Sequence, residues 1–207
     1  MRSDRRLAAA AFFALALACR ESRPQQDAPP ERFAGVRRQE ASAAAVASAF
    51  CERAYPAGGE GARRWTAPPL RALGGSGSAA GATPGGWTWV NLWATWCEPC
   101  VEEMGLLGRW RDGFSRDGVP VRFELLSIDE PEQEAALTAW QSKGLPGPIR
   151  WLRSGQDLGP LLDALGVERG AMIPIHALVD AAGWLRCVRV GAIHEQDYAA
   201  VKGLLAR

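Results

Sequence analysis

The sequence predicts an α/β domain in which a central, mainly parallel sheet is flanked by helices and finished by an antiparallel hairpin. Three observations carry this. Trp87–Trp93 (W-T-W-V-N-L-W) is a run of aromatic and β-branched residues that suits a buried central strand. Helix and strand patterns then alternate through residues 94–165, which is how parallel strands are connected. Finally, Ile175–Val179 and Trp184–Val190 are two short apolar runs around Asp180-Ala-Ala-Gly183, a turn signal between paired strands.

The remaining elements follow in order. Residues 40–55 are Ala-rich with good helix formers, so an N-terminal helix is expected, ending near Pro56 and Gly58-Gly59. A short edge strand is expected within residues 65–73, after Pro68-Pro69, and residues 74–86 form a Gly/Ser/Ala/Pro loop. A helix opens at Cys97 and runs to about residue 115. Residues 119–128 are the next strand and residues 131–143 a helix, with Glu and Gln early and Lys late, as the helix dipole favours. Ile149–Leu152 is a short strand, and residues 156–165 a short helix with a bend at Gly159-Pro160. Residues 194–206 are a closing helix. No internal repeat is visible.

The 207-residue chain carries a net charge of +1, which points away from nucleic acid and acidic substrates. Having only two histidines, His176 and His194, argues against a His-based metal site, and no cofactor is expected. The nine tryptophans suit core packing with a few surface rings. The N-terminus has the pattern of a targeting segment. Arg2, Arg5 and Arg6 against Asp4 give it a positive start, and the apolar run from Leu7 to Ala18 is too short to span a bilayer. The run stops at Cys19, after Leu15-Ala16-Leu17-Ala18. This resembles a bacterial lipoprotein signal, which implies a lipid on Cys19; Ala16 stands where such signals usually carry Leu. An ordinary cleaved signal with Cys19 incidental is the alternative, and Arg5-Arg6 alone is a thin hint of twin-arginine export. Residues 1–18 are thus expected to be a signal peptide, and residues 19–39, polar and Pro-rich, a disordered tether. Residues 40–207 make the folded domain, with its core from about residue 68. The expected location is exported and periplasmic, held to a membrane through Cys19, where disulfides are permitted.

Five cysteines are present: Cys19, Cys51, Cys97, Cys100 and Cys187. Cys97 and Cys100 sit in Trp96-Cys97-Glu98-Pro99-Cys100, after an expected strand and at the start of an expected helix. Helical residues i and i+3 lie at the Cα separation a disulfide needs. A thiolate at a helix N-terminus meets free N–H groups and the positive end of the dipole, so it forms near neutral pH. Pro99 fits the first turn, where a missing N–H costs little. Cys97 is therefore expected as the exposed nucleophile and Cys100, one turn deeper, as the resolving thiol. Half of a zinc site is a rival reading, but a second ligand pair is missing from the sequence; an inert structural disulfide is another. Cys51 and Cys187 are left over. In an exported chain they could pair and pin the N-terminal helix to the last strand, although two separately buried thiols fit the composition equally well.

Val90-Asn-Leu-Trp-Ala-Thr-Trp-Cys-Glu-Pro-Cys100 resembles the active site of thioredoxin-like proteins of the TlpA/ResA type, which are bacterial thiol–disulfide oxidoreductases. The resemblance spans residues from about 68 to the C-terminus and is strong at the motif. It implies a thioredoxin fold, a central mixed sheet flanked by helices, with a β–α insertion, here within residues 131–167, preceded by the N-terminal helical extension. It also implies a cis-proline facing the cysteines. Ile173-Pro174 stands where the family places it, and the backbone of Ile173 would pair with substrate peptide. The family carries a Glu at the position of Glu103, which could pass a proton to or from a thiol; a solvated carboxylate like Glu102 is the bland alternative. Thioredoxin itself has a buried Asp where this chain has Asn91, which cannot titrate, so a carboxylate serving Cys100 must be Glu103. Glu98 adds negative charge beside a thiolate and argues for a reducing protein. His176 follows Pro174 and is more simply a strand residue than a catalyst.

The expected function is an extracytoplasmic protein-disulfide reductase. Cys97, Cys100, Glu103 and Pro174 are its catalytic set, with Trp96, Glu98, Pro99 and Ile173 against the substrate. Its partners are protein thiol or disulfide clients and an upstream electron donor, and a monomer is expected. The resemblance suggests cytochrome c maturation. An oxidase or isomerase with the same residues, or a scaffold that kept the fold and lost turnover, are the alternatives.

Overall fold

The computed structural model describes residues 49–74 and 86–206. The expected signal peptide, the tether, Cys19 and most of the N-terminal helix lie outside the described residues.

Among the described residues, eight strands form one sheet: β1 (Arg53–Ala54), β2 (Arg63–Arg64), β3 (Leu70–Arg71), β4 (Trp87–Trp93), β5 (Val121–Ser127), β6 (Ile149–Leu152), β7 (Ile175–Val179) and β8 (Trp184–Val190). The α-helices that accompany them include α1 (Glu98–Arg116), α2 (Glu134–Gln141), α3 (Leu158–Leu165) and α4 (Tyr198–Leu205). The strand order is β1-β8-β7-β4-β5-β6-β3, with β2 also on β8. β4–β5 and β5–β6 are parallel, whereas β4–β7, β7–β8, β8–β1, β8–β2 and β6–β3 are antiparallel. The sheet is therefore mixed, as the thioredoxin fold implies. The late hairpin does not sit at the margin as an added edge, because β7 pairs directly with the central β4.

β4 is buried at all seven positions because both its faces are covered. Trp89 and Trp93 point to one face, where they pack with Leu107, Trp110 and Phe114 of α1 and with Val201 and Leu205 of α4. Val90 and Leu92 point to the other, against Leu161, Leu162 and Leu165 of α3. This sheet, with α1 and α4 on one side and α3 on the other, is the thioredoxin fold. α1 forms where expected: Pro99 lies in its first turn, and its buried side chains recur at helical spacing (Cys100, Glu103, Met104, Leu107, Trp110, Phe114). Pro160 falls in the first turn of α3, so it costs that helix no hydrogen bond and no bend is needed. Asp180 builds the β7–β8 turn, its Oδ1 accepting from the N–H groups of Ala182 and Trp184.

The N-terminal part departs from expectation. Helical geometry stops at Phe50, and residues 53–54, expected as helix, form β1 on the outer edge of β8. The edge of β8 offers free backbone groups, and pairing them outweighs the helix propensity of an Ala-rich run. β2 pairs with the same strand, and the strand expected within residues 65–73 shrinks to Leu70–Arg71 on β6.

Candidate active site

The site lies where β4 ends and α1 begins. Cys97 is the N-cap of α1 (φ −85°, ψ 98°); its carbonyl accepts the first helical N–H, from Val101, and the N–H of Cys100 points at its Sγ at 3.3 Å. Cys97 and Cys100 form a disulfide with Cα atoms 5.3 Å apart. Cys97 is more enclosed than the sequence suggested. Cys97, expected to be exposed, is 5% accessible, and Cys100, expected one turn deeper, is fully buried. Trp96 is 63% exposed, and Glu98 points into solvent.

The Ile173–Pro174 peptide is cis, and it faces the disulfide: the carbonyl oxygen of Ile173 lies 3.8 Å from Cys97 Sγ. A groove of about 400 Å³ opens beside Cys97, walled by Trp96, Pro99, Ile128, Leu158, Leu162 and Met172. Met172 is 80% exposed at its rim. Such a groove can hold an extended, partly apolar peptide segment against the sulfur while the Ile173 backbone offers strand-like partners.

Glu103 is 4% accessible, quite unlike its exposed neighbour Glu102. Its Oε1 accepts from Asn91 Nδ2 at 2.9 Å and its Oε2 from the backbone N–H of Ile193 at 3.1 Å; His176 Nε2 lies 3.5 Å from the same Oε2. One turn along α1 from Cys100, it is the buried carboxylate on the thiol's side of the helix.

Two features were not legible as site residues. His176, treated in the sequence as a plain strand residue, joins the Glu103 cluster because it stands opposite Asn91 in the β4–β7 register. Asp129, just past β5, is buried and braces the active-site turn. Its carboxylate accepts from Thr95 N–H (3.0 Å), Thr95 Oγ1 (2.7 Å) and Ser127 Oγ (2.7 Å), and its own carbonyl accepts from Trp151 Nε1. The Ser127-Ile-Asp129 sequence at a strand end was the available signal.

Away from the site, Cys51 and Cys187 are joined in a disulfide with a Cα separation of 5.4 Å. Cys51 follows the helical residues rather than lying among them, and Cys187 stands beside Ala54 in the β1–β8 register.

No family model matches the chain. It is 28% identical over 109 residues to the thiol-disulfide oxidoreductase ResA of Geobacillus thermodenitrificans, covering 52% of this chain and 56% of that one. It is 35% identical over 96 residues to the thiol:disulfide interchange protein HelX of Rhodobacter capsulatus, covering 45% and 46%. The chain thus spans about half the length of the curated relatives it matches. Among solved structures, a thiol-disulfide isomerase from Corynebacterium glutamicum superposes with a TM-score of 0.50 at 20% identity, over 68% of this chain and 97% of that one. At that identity the likeness speaks for the fold.

Proposed function

We propose that this chain, a thioredoxin-fold protein of the TlpA/ResA type, is a thiol–disulfide oxidoreductase that reduces protein disulfides outside the cytoplasm. The observation that carries the reading is the Cys97–Cys100 pair at the N-terminus of α1, facing the Ile173 carbonyl beside cis-Pro174.

In the reduced protein, the Cys97 thiolate attacks one sulfur of a client disulfide and expels the other as a thiolate, forming a mixed disulfide. Cys100 gives its proton to Glu103, and its thiolate attacks Cys97 Sγ. The second client thiolate leaves, and Cys97–Cys100 closes. The client gains two electrons and the pair loses two; a dithiol donor restores the pair. Trp96, Pro99 and Ile173 border the groove that would hold the client, and Glu98 is exposed at its edge. Asp129 holds the turn that carries Cys97.

The reducing direction is supported by Glu98, whose charge opposes a very stable thiolate, and by the lack of a His between the cysteines. Export and membrane attachment rest on the N-terminal sequence, with Cys19 as the lipid-bearing residue; among the described residues, no helix is long and apolar enough to cross a membrane. A role in cytochrome c maturation rests on the resemblance alone. Cys51–Cys187 would serve as a structural bridge in the same oxidising compartment.

The test is the reduction potential of the folded domain against glutathione, with the rate at which the reduced protein cleaves an insulin-type disulfide. A potential in the range of thioredoxin, with turnover that is lost in Cys97→Ala, supports a reductase. A potential near that of strong oxidases would make the same residues an oxidase.

A further inference from the structure

Behind Cys100 lies one buried titratable ring that the exchange steps above leave unused, His176, whose side chain is wholly enclosed. Its Nδ1 receives the Trp89 indole N–H at 3.2 Å, and Asn91 Nδ2 stands 3.4 Å from the same atom. An indole nitrogen can only donate, so Nδ1 must be bare and the single ring proton sits on Nε2. A second proton, on Nδ1, would oppose the indole N–H. Trp89 thus fixes the tautomer, and its own ring is held by a stack on Phe123 with centroids 5.3 Å apart.

Nε2 has no hydrogen bond at ordinary length, which is uncommon for a buried polar atom. The group it faces is Glu103, with Oε2 at 3.5 Å; closing by about 0.5 Å makes a normal N–H···O bond. The other charged groups packed around the ring are engaged elsewhere. Arg189, opposite His176 on β8, donates to the carbonyls of Ala192 and Phe50, with Asp197 at 3.9 Å from its guanidinium. On α1 the adjacent carboxylate, Glu102, is exposed.

We propose that His176 is a positioning residue for Glu103. Its Nε2–H, aimed by Trp89, is the third donor to the carboxylate after Asn91 and Ile193. It stabilises the ionised form that must accept the Cys100 proton. The resolving step is then: Cys97–S–S–client, Cys100 thiol and Glu103 carboxylate give the Cys97–Cys100 disulfide, a client thiolate and a protonated Glu103. Charge and electrons balance, and His176 keeps its one proton throughout. The inference rests on Glu103 acting as the base in the proposed exchange.

The test is stopped-flow reaction of the reduced, full chain with a chromogenic aromatic disulfide across pH. The first phase reports attack by Cys97, and the second, first-order phase reports resolution by Cys100. His176→Phe keeps a ring in the cavity and removes the donor. Loss of one hydrogen bond to a charged group should move the rise of the second phase to higher pH by about one unit, while the first-phase profile stays in place. His176→Gln, which retains an amide donor, should recover at least half of the shift. In a Glu103→Gln background, His176→Phe should move nothing further, and this comparison among folded variants stands even where one substitution lowers stability. Superimposable second-phase profiles for wild type and His176→Phe would overturn the proposal, as would an equal shift with Gln and Phe. If Glu103→Gln alone leaves the wild-type profile unchanged, the assignment of the base fails, and the proposal with it.

Discussion

Replacing both Cys51 and Cys187 with Ala removes a cross-link between residues separated by 136 positions. In the chain-entropy model a loop of that length restrains the unfolded chain by about 5 kcal/mol. That is a large share of the 5–15 kcal/mol typical of a whole domain. The native state has other ties at the same edge. Arg53 Nε donates to the Gly166 carbonyl at 3.0 Å, Tyr55 Oη to the Leu165 carbonyl at 2.8 Å, and β1 itself is only two residues long. These keep the arm docked in the variant, so the fold should persist with the stability loss expressed mainly through the unfolded state. Urea unfolding of wild type and the double variant, both with Cys97–Cys100 oxidised, should differ by about 4–5 kcal/mol at an unchanged native fold. In a thermal scan the same change is a fall of about 10–20 °C. A difference below about 1 kcal/mol would refute the reasoning, because it would mean that the bridge closes a loop already closed in the unfolded ensemble.

Asp129→Ala strands the buried Ser127 Oγ and the half-buried Thr95 N–H and Oγ1. It should cost about 3–4 kcal/mol in denaturant titration and slow client reduction by loosening the turn before Cys97. Trp96→Ala removes an exposed ring at the groove mouth; stability should change by less than about 0.5 kcal/mol, while kcat/KM for a peptide disulfide falls and the reduction potential stays put. Asp117 is held below the ordinary carboxylate range by its hydrogen bonds to Lys202 and Tyr198, both on α4. A depressed carboxylate contributes stability that is present above about pH 4 and lost as pH falls through the lowered value. Asp117→Asn should therefore flatten the acid limb of the stability profile below about pH 4, read by tryptophan fluorescence.

The parts of the fold that were legible in the sequence are those where one local signal suffices. β4 announced itself through its aromatic run, α1 through Cys97, Pro99 and a buried stripe, and the β7–β8 hairpin through Asp180 and Gly183. β1, β2 and β3 were not legible, because two-residue strands carry no period. They exist only because β8 and β6 offer edges to pair with, and that is tertiary information. The same divide runs through the site. Cys97, Cys100 and Pro174 are marked by local chemistry and spacing. His176 becomes a neighbour of Glu103 only when β7 is laid against β4 in a particular register. Asp129 acquires its role only when β5 ends beside the turn at Thr95. The enclosure of Cys97 was likewise hidden, since its surroundings include the Ile173 carbonyl from across the chain.

The central claim is that Cys97 attacks and Cys100 resolves. Its most direct measurement is trapping of mixed disulfides by single-cysteine variants, identified by non-reducing peptide mass mapping after incubation with a disulfide-bonded client. Cys100→Ala should accumulate an adduct through Cys97, and Cys97→Ala should accumulate none, since its remaining active-site sulfur is fully buried. Equal trapping by the two variants, or adducts through Cys100, would contradict the account.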